Sequence, residues 1–219
     1  MARRPPVDRR ARLARARALA AEYARLQPSL RAALREDARW YAANRGEPFE
    51  FRSRLGALAN FVRLLFVADD FPPLVLYRLR TALAHARVPL APWLLHRLCI
   101  ALWNVRIGPH VVLGPGAYIP HGNVVIEGVT RIGPHAVLAP WVTVGCVRGD
   151  HVGPRIGENV FVSTHASVLG DIEVGSHSTI AASAVVTSDV PPHALAAGVP
   201  ARVVDGGTRP TGVVPGDTP

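Results

Sequence analysis

Apolar positions in the second half of the chain return on a six-residue beat. From Ile156 onward they are Ile156, Val162, Val168, Val174, Ile180 and Val186. Upstream the beat runs through Ile107, Leu113, Ile119 and Val125, slips by one residue, and resumes at Ile132, Leu138 and Val144. Val144 and Ile156 are two beats apart, so the register survives the polar stretch between them. A small residue follows most of these positions, as at Gly108, Gly114, Gly133, Gly145 and Gly157, and a second apolar or small residue falls four later, as at Ala117, Val129, Ala136, Ala166 and Ser178. Strands of a sandwich alternate with period two and would not lock to six. A hexad repeat predicts a parallel β-helix in which each hexad forms one flat side and three close a triangular turn. Its β-branched residues suit a pleated, inward-facing position, and its small residues suit crowded corners.

The first half has helical spacing instead. Residues 9–44 place Leu13, Leu19, Tyr23, Leu26, Leu30 and Leu34 on apolar faces. Pro28 breaks the run, with Ser29 as a candidate N-cap. Residues 45–48 punctuate, 53–68 form another amphipathic helix, Asp69 to Pro73 ends it, and 73–87 and 90–104 are two further helices. The coil starts near Arg106. Residues 146–155 lack an inward aliphatic at position 150 and are expected to project as a loop, and residues 193–204 are expected to form a closing strand or arm. The fold class is α+β: a disordered basic tail over 1–8, a helical domain over 9–104, a β-helix domain over 105–204 and a disordered tail over 205–219.

Charge is uneven. The net +9 contains no Lys, and the first 45 residues hold twelve Arg against four acidic residues. Such a start suits nucleic acid or an anionic membrane surface. No aromatic interleaving or nucleic-acid motif accompanies it, so a solvated helix is expected and no nucleic-acid partner. The helical pattern continues past residue 40, against an organelle transit peptide. Two Cys in different segments exclude a disulfide framework and fit a reducing cytoplasm. The most apolar window, Val88 to Val105, is interrupted by His96 and Arg97 and contains Pro89 and Pro92. It falls short of a spanning helix, and packing against a partner subunit is expected instead.

Ile119-Pro120-His121-Gly122-Asn123, Trp141 to Gly145, Gly149-Asp150-His151 with Pro154-Arg155-Ile156-Gly157, and Ala196-Ala197-Gly198-Val199-Pro200-Ala201-Arg202 resemble motifs of the hexapeptide-repeat acyltransferases, serine O-acetyltransferases above all. The resemblance implies a left-handed β-helix, a homotrimer or dimer of trimers with clefts between neighbours, and acetyl-CoA as co-substrate without a metal. It implies His121 as general base and His151 as a second His for the acceptor or oxyanion. Glu47, Arg148 and Asp150 would contact the acceptor. Gly145, Ser163, Thr164, Ala182, Ala197, Gly198, Pro200 and Arg202 would line the coenzyme A site.

The chemistry fits these residue types. A hydroxyl is a poor nucleophile at neutral pH, and imidazole, with an ordinary pKa of about 6.5, is the natural base. The oxyanion needs donors, and the two substrates must be held together. The resemblance also marks departures. The place of the family's orienting Asp falls near Arg106, so a carboxylate is sought from Glu127 or Asp150, or a backbone carbonyl serves. Ser163-Thr164-His165-Ala166 replaces a smaller stretch beside the pantetheine arm and leaves the acyl donor open. The expected acceptor is the hydroxyl of serine or a serine-like metabolite. A saccharide hydroxyl, with Tyr118 and Trp141 as an aromatic groove, and a non-catalytic trimeric scaffold are the alternatives.

Overall fold

The computed structural model describes residues 9–47 and 53–204; the tails expected over 1–8 and 205–219 and the turn residue Pro48 lie outside them. Five helices come first: α1 (Arg9–Arg25), α2 (Leu30–Asn44), α3 (Arg54–Val67), α4 (Phe71–His85) and α5 (Ala91–Trp103). Ser29 stands at the α2 N-cap position without a side-chain cap bond, whereas the Ser53 hydroxyl accepts from the Gly56 N–H.

The rest winds a left-handed parallel β-helix of three sheets. The first sheet stacks β1 (Arg106–Ile107), β3 (Val125–Ile126), β6 (Thr143–Gly145), β9 (Ser167–Leu169) and β12 (Val185–Val186). The second stacks β2 (Val111–Leu113), β4 (Val129–Ile132), β7 (Val152–Ile156) and β10 (Glu173–Val174). The third stacks β5 (Val137–Leu138), β8 (Phe161–Val162), β11 (Thr179–Ile180), β13 (Leu195–Gly198) and β14 (Ala201–Val204). All pairings are parallel except β13 with β14, whose antiparallel hairpin ends the coil. The chain passes from first to second to third sheet in each turn. Edge I therefore joins the third sheet to the first, edge II the first to the second, and edge III the second to the third.

Two expectations need correction. The slip in the beat falls before Val125, not after it. Ile126 pairs with Ile107 below and Val144 above and is fully buried, while Val125 is half-buried. The extra residue therefore sits in the edge I corner containing His121, where His121, Gly122 and Asn123 all take left-handed φ, at 61°, 62° and 55°. Counted from Ile126, the inward residue of β4 is the buried Thr130, whose hydroxyl donates to the Glu127 carbonyl at 2.8 Å. Val129 is thereby freed to face outward. The projecting loop is also shorter than expected. Residues 152–155 belong to β7, because Val152 serves an outside neighbour and not the coil interior. Ala16 and Tyr23 of α1 pack on Val112, Val129 and Val152 of the second sheet. Arg12 and Arg15 tie the same helix to Asp150 (3.7 Å) and Asp171 (2.5 Å).

Helix α4 meets the first turn of the coil, whose lower carbonyls have no strand beneath them. Arg78 donates to the carbonyls of Leu113 (2.5 Å) and Gly114 (2.6 Å), Arg80 to those of Ile107 (2.6 Å) and Gly108 (3.0 Å), and the Tyr77 hydroxyl to that of Val111 (3.0 Å). Buried backbone oxygens are thus satisfied by side chains where the ladder stops. One apolar core continues from Tyr41, Leu64, Phe71 and Leu74 of the helical region into Val105, Ile107 and the aliphatic stacks above.

Turn-to-turn spacing is tight where edge III begins. A Cβ on Gly133 would lie 2.6 Å from the carbonyl carbon and oxygen of Gly157, one turn above. Neighbouring backbone, not a movable side chain, blocks it. Gly133→Ala is expected to cost about 1–3 kcal/mol, the usual range for overpacking, read as a lowered urea midpoint at unchanged slope.

Candidate active site

His121 sits in the enlarged corner at the foot of edge I, and the corner is bonded on several sides. The His121 N–H donates to Asp70 Oδ2 (3.3 Å), and the Asn123 side-chain amide donates to the His121 carbonyl (3.1 Å). The Asn123 N–H donates to the Trp103 carbonyl (3.2 Å), and the Asn104 amide donates to Asn123 Oδ1 (3.1 Å). Gly122 is required here, since a Cβ would lie 2.6 Å from the Trp103 oxygen at a left-handed φ. His121 is exposed, and no described side chain hydrogen-bonds its ring. It lines a cleft of about 450 Å³ with Asp69, Asp70, Trp103, Asn104 and Asn123.

Asp70 comes from the junction before α4. Burial pushes its carboxyl up from the ordinary value, against the pull of the His121 N–H, the His121 ring and the more distant Arg45. The fully buried Tyr41 fixes this junction: its hydroxyl donates to the Asp70 carbonyl (3.0 Å) and accepts from the Ile119 N–H (3.2 Å). Burial and the nearby Asp70 charge also push the Tyr118 hydroxyl up. Glu47 follows α2, bound to Arg45 (3.1 Å) and to Arg63. These guanidinium groups outweigh its partial desolvation and hold its carboxyl below the usual range.

Above His121, edge I carries Trp141, Ser163, Thr164, His165, Ala182 and Ser183 at successive turns. Trp141 is 53% exposed and stacks on His165 with ring centroids 6.0 Å apart. Thr164 Oγ1 donates to the Pro140 carbonyl (2.8 Å). Ala197 and Gly198 end β13 on the same sheet, Pro200 lies in the hairpin turn, and Arg202 leaves along β14 with one guanidinium nitrogen on the Ala201 carbonyl (2.9 Å). Within one chain, then, His121 shares an edge with most of the residues expected at coenzyme A.

Gly145, Arg148, Asp150 and His151 lie at edge II. Asp150 Oδ1 accepts from the N–H groups of His151 (2.7 Å) and Val152 (3.2 Å), and Glu127 lies 3.9 Å from Arg106. The first sheet separates them from His121, roughly 15 Å for a side of a few residues at strand rise. Neither Glu127 nor Asp150 can therefore orient His121 within one chain, because both stand at the other end of β3 and β6. Nor do Arg148 and Glu47 meet. Sequence reasoning missed Asp70, Asn104 and Asn123. The signal for Asp70 was its place in Asp69-Asp70-Phe71-Pro72, which was read only as a helix end.

A second cavity of about 290 Å³ lies at the foot of edge II, between α1, α4 and α5, beside Arg80, His96 and His110. It is walled largely by apolar groups and is remote from His121. Among the described residues, no helix is long and apolar enough to cross a membrane, and no group of three or more His, Cys, Asp or Glu is placed to hold a metal ion.

Residues 153–188 match the bacterial transferase hexapeptide (six repeats) family. The chain is 36% identical to the serine acetyltransferase of Synechococcus elongatus over 152 residues, covering 68% of this chain but only 62% of the cyanobacterial protein. The soybean serine acetyltransferase apoenzyme superposes with a TM-score of 0.66 at 30% identity, over 81% of this chain and 70% of that one; the same enzyme complexed with serine gives 0.67. A serine acetyltransferase in complex with CoA superposes at 0.65 and 26% identity, over 86% and 75% of the two chains.

Proposed function

We propose that this chain, which belongs to the hexapeptide-repeat acyltransferases and is serine acetyltransferase-like, transfers an acetyl group from acetyl-CoA to the hydroxyl of serine or a serine-like small metabolite. The observation that carries the reading is the exposed His121 ring in its cleft, at the foot of the edge that carries Ser163, Thr164 and Ala182. His121 takes the hydroxyl proton as the alcohol oxygen attacks the thioester carbonyl. The tetrahedral intermediate collapses, the C–S bond breaks, and the imidazolium returns the proton to the departing thiolate. Ser163, Thr164, Ala182, Ala197 and Gly198 line the path for the pantetheine arm, and Arg202 is available for the phosphates. The serine-bound and CoA-bound relatives support both substrates.

The working unit in this reading is a cytoplasmic homotrimer, singly or in pairs, in which edge I of one copy faces edge II of the next. His151, Arg148 and Asp150 of a neighbour would then complete the cleft that one chain leaves open. The exposed stripe Leu90, Leu94, Leu98 and Leu102 along α5, beside the cleft, supports a covered face. One observation favours a second acceptor class: Trp141 offers an exposed ring on the same edge, the kind of surface on which a sugar stacks.

The test is release of coenzyme A thiol from acetyl-CoA with a panel of hydroxyl compounds. Serine or a close relative is expected to drive release above acceptor-free hydrolysis. Release with saccharides alone would select the second acceptor class, and none with any compound would overturn acetyl transfer.

A further inference from the structure

We propose that Asp70 is the positioning residue of the site, a carboxylate brought from the helical region to hold the left-handed corner of His121 and to set the charge beside its ring. The rate consequence rests on the acetyl-transfer reading above; the titration consequence rests on the fold alone.

Asp70 occupies the N-cap position of α4, where an Asp ordinarily accepts from an N–H of the first helical turn. It makes no such bond. Its Oδ2 accepts instead from the His121 N–H, 51 residues away in the chain. Forgoing a cap costs stability, so helix formation does not explain the side chain's placement.

Burial disfavours the ionised form of this carboxyl, and among the described residues no Arg is in contact with it, unlike the buried Asp37 with its Arg78. A group whose carboxyl is raised in the folded state weakens the fold as pH climbs past that value. The ionised carboxylate is thus held against the cost of its burial, beside an imidazole that must accept a proton.

Arg106 stands where the resemblance looks for an Asp, and Glu127 and Asp150 are across the first sheet. The other groups facing the corner are Asp69, exposed beside Asp70; Tyr41 and Arg45 from α2; and Tyr118 from the coil. Helix α5 and its end contribute the uncharged Trp103 and Asn104. The Tyr41 hydroxyl, bridging the Asp70 carbonyl and the Ile119 N–H, ties the α4 junction to the coil only two residues from His121.

Asp70→Asn isolates the charge, because its amide oxygen still accepts from His121 and still suits an N-cap. The variant is expected to keep or raise its thermal midpoint. Its kcat should fall by about five- to ten-fold with KM little changed, and the His121 ring titration, followed by NMR without substrate and assigned with His121→Asn, should move to lower pH. Asp70→Glu, which retains the charge, should bring the titration back toward wild type. Unmoved titration and kcat in a folded Asp70→Asn would overturn the proposal. So would a lowered midpoint with raised KM and unmoved titration, the mark of a merely structural part. If wild type releases no thiol with any acceptor, acetyl transfer fails while the titration still decides the role of Asp70.

Discussion

Replacing His121 by Ala lowers acceptor-dependent thiol release by on the order of 10²–10⁴-fold, the range that general-base action contributes. The expectation is large because the ring has no evident second job. It is exposed and unbonded among the described residues, while the backbone around it is held by Asp70, Asn123 and Trp103. His121→Asn is the companion variant. Asn tolerates the left-handed φ of 61° better than Ala, so it removes the base while sparing the corner. The Asn variant should unfold at the wild-type temperature and the Ala variant slightly below it, and both should lose activity alike. Unchanged thiol release in both would favour a non-catalytic trimeric scaffold that keeps the coil and lacks the chemistry.

The largest effect on stability is expected at Asp37. Its carboxylate takes two bonds from the Arg78 guanidinium, at 2.8 and 3.0 Å, and one from the Gly116 N–H at 2.8 Å, with both side chains almost completely buried. Burial pushes the Asp37 carboxyl up while Arg78 and the backbone N–H groups oppose it. Asp37→Ala leaves a buried guanidinium without its counter-charge and should cost about 3–5 kcal/mol. Adding Arg78→Met to that variant should recover much of the loss in chemical denaturation. The recovery will be incomplete, because Arg78 also serves the carbonyls of Leu113 and Gly114. A loss below about 1 kcal/mol for Asp37→Ala, the scale of an exposed ion pair, would contradict the packing described.

The coil was legible because its inward residues answer to one simple demand, stacking on the turn above and below. Where two demands meet, the sequence became ambiguous. Val125 and Ile126 are both β-branched, and only the three left-handed residues of the preceding corner decide which one points inward. Val129 looks like coil interior and Val152 like part of a loop, yet both serve α1, and a helix lying on the outside of a sheet leaves no mark in a six-residue beat. The helices themselves followed from their spacing and breakers, within a residue or two of their observed ends at α4 and α5. His121 was singled out through its neighbours Pro120 and Gly122, and it lines the cleft beside Asp70. Asp70 was not, because a carboxylate at a helix start has a sufficient local explanation, and its actual partner is 51 positions away. The same limit applies to His151. Its motif could be read, but the sequence does not reveal that the first sheet lies between it and His121.

The two ends of the coil are finished differently. Below, Tyr77, Arg78 and Arg80 occupy the carbonyls that a further turn would use; above, the β13–β14 hairpin reverses direction and offers a mismatched rim. A parallel prism with bare ends is a polymerisation template, since each terminus could accept the opposite terminus of another molecule. Here neither end is bare, so addition of strands along the prism axis is blocked. Assemblies of this chain are expected to be closed and finite, without fibre growth by strand addition.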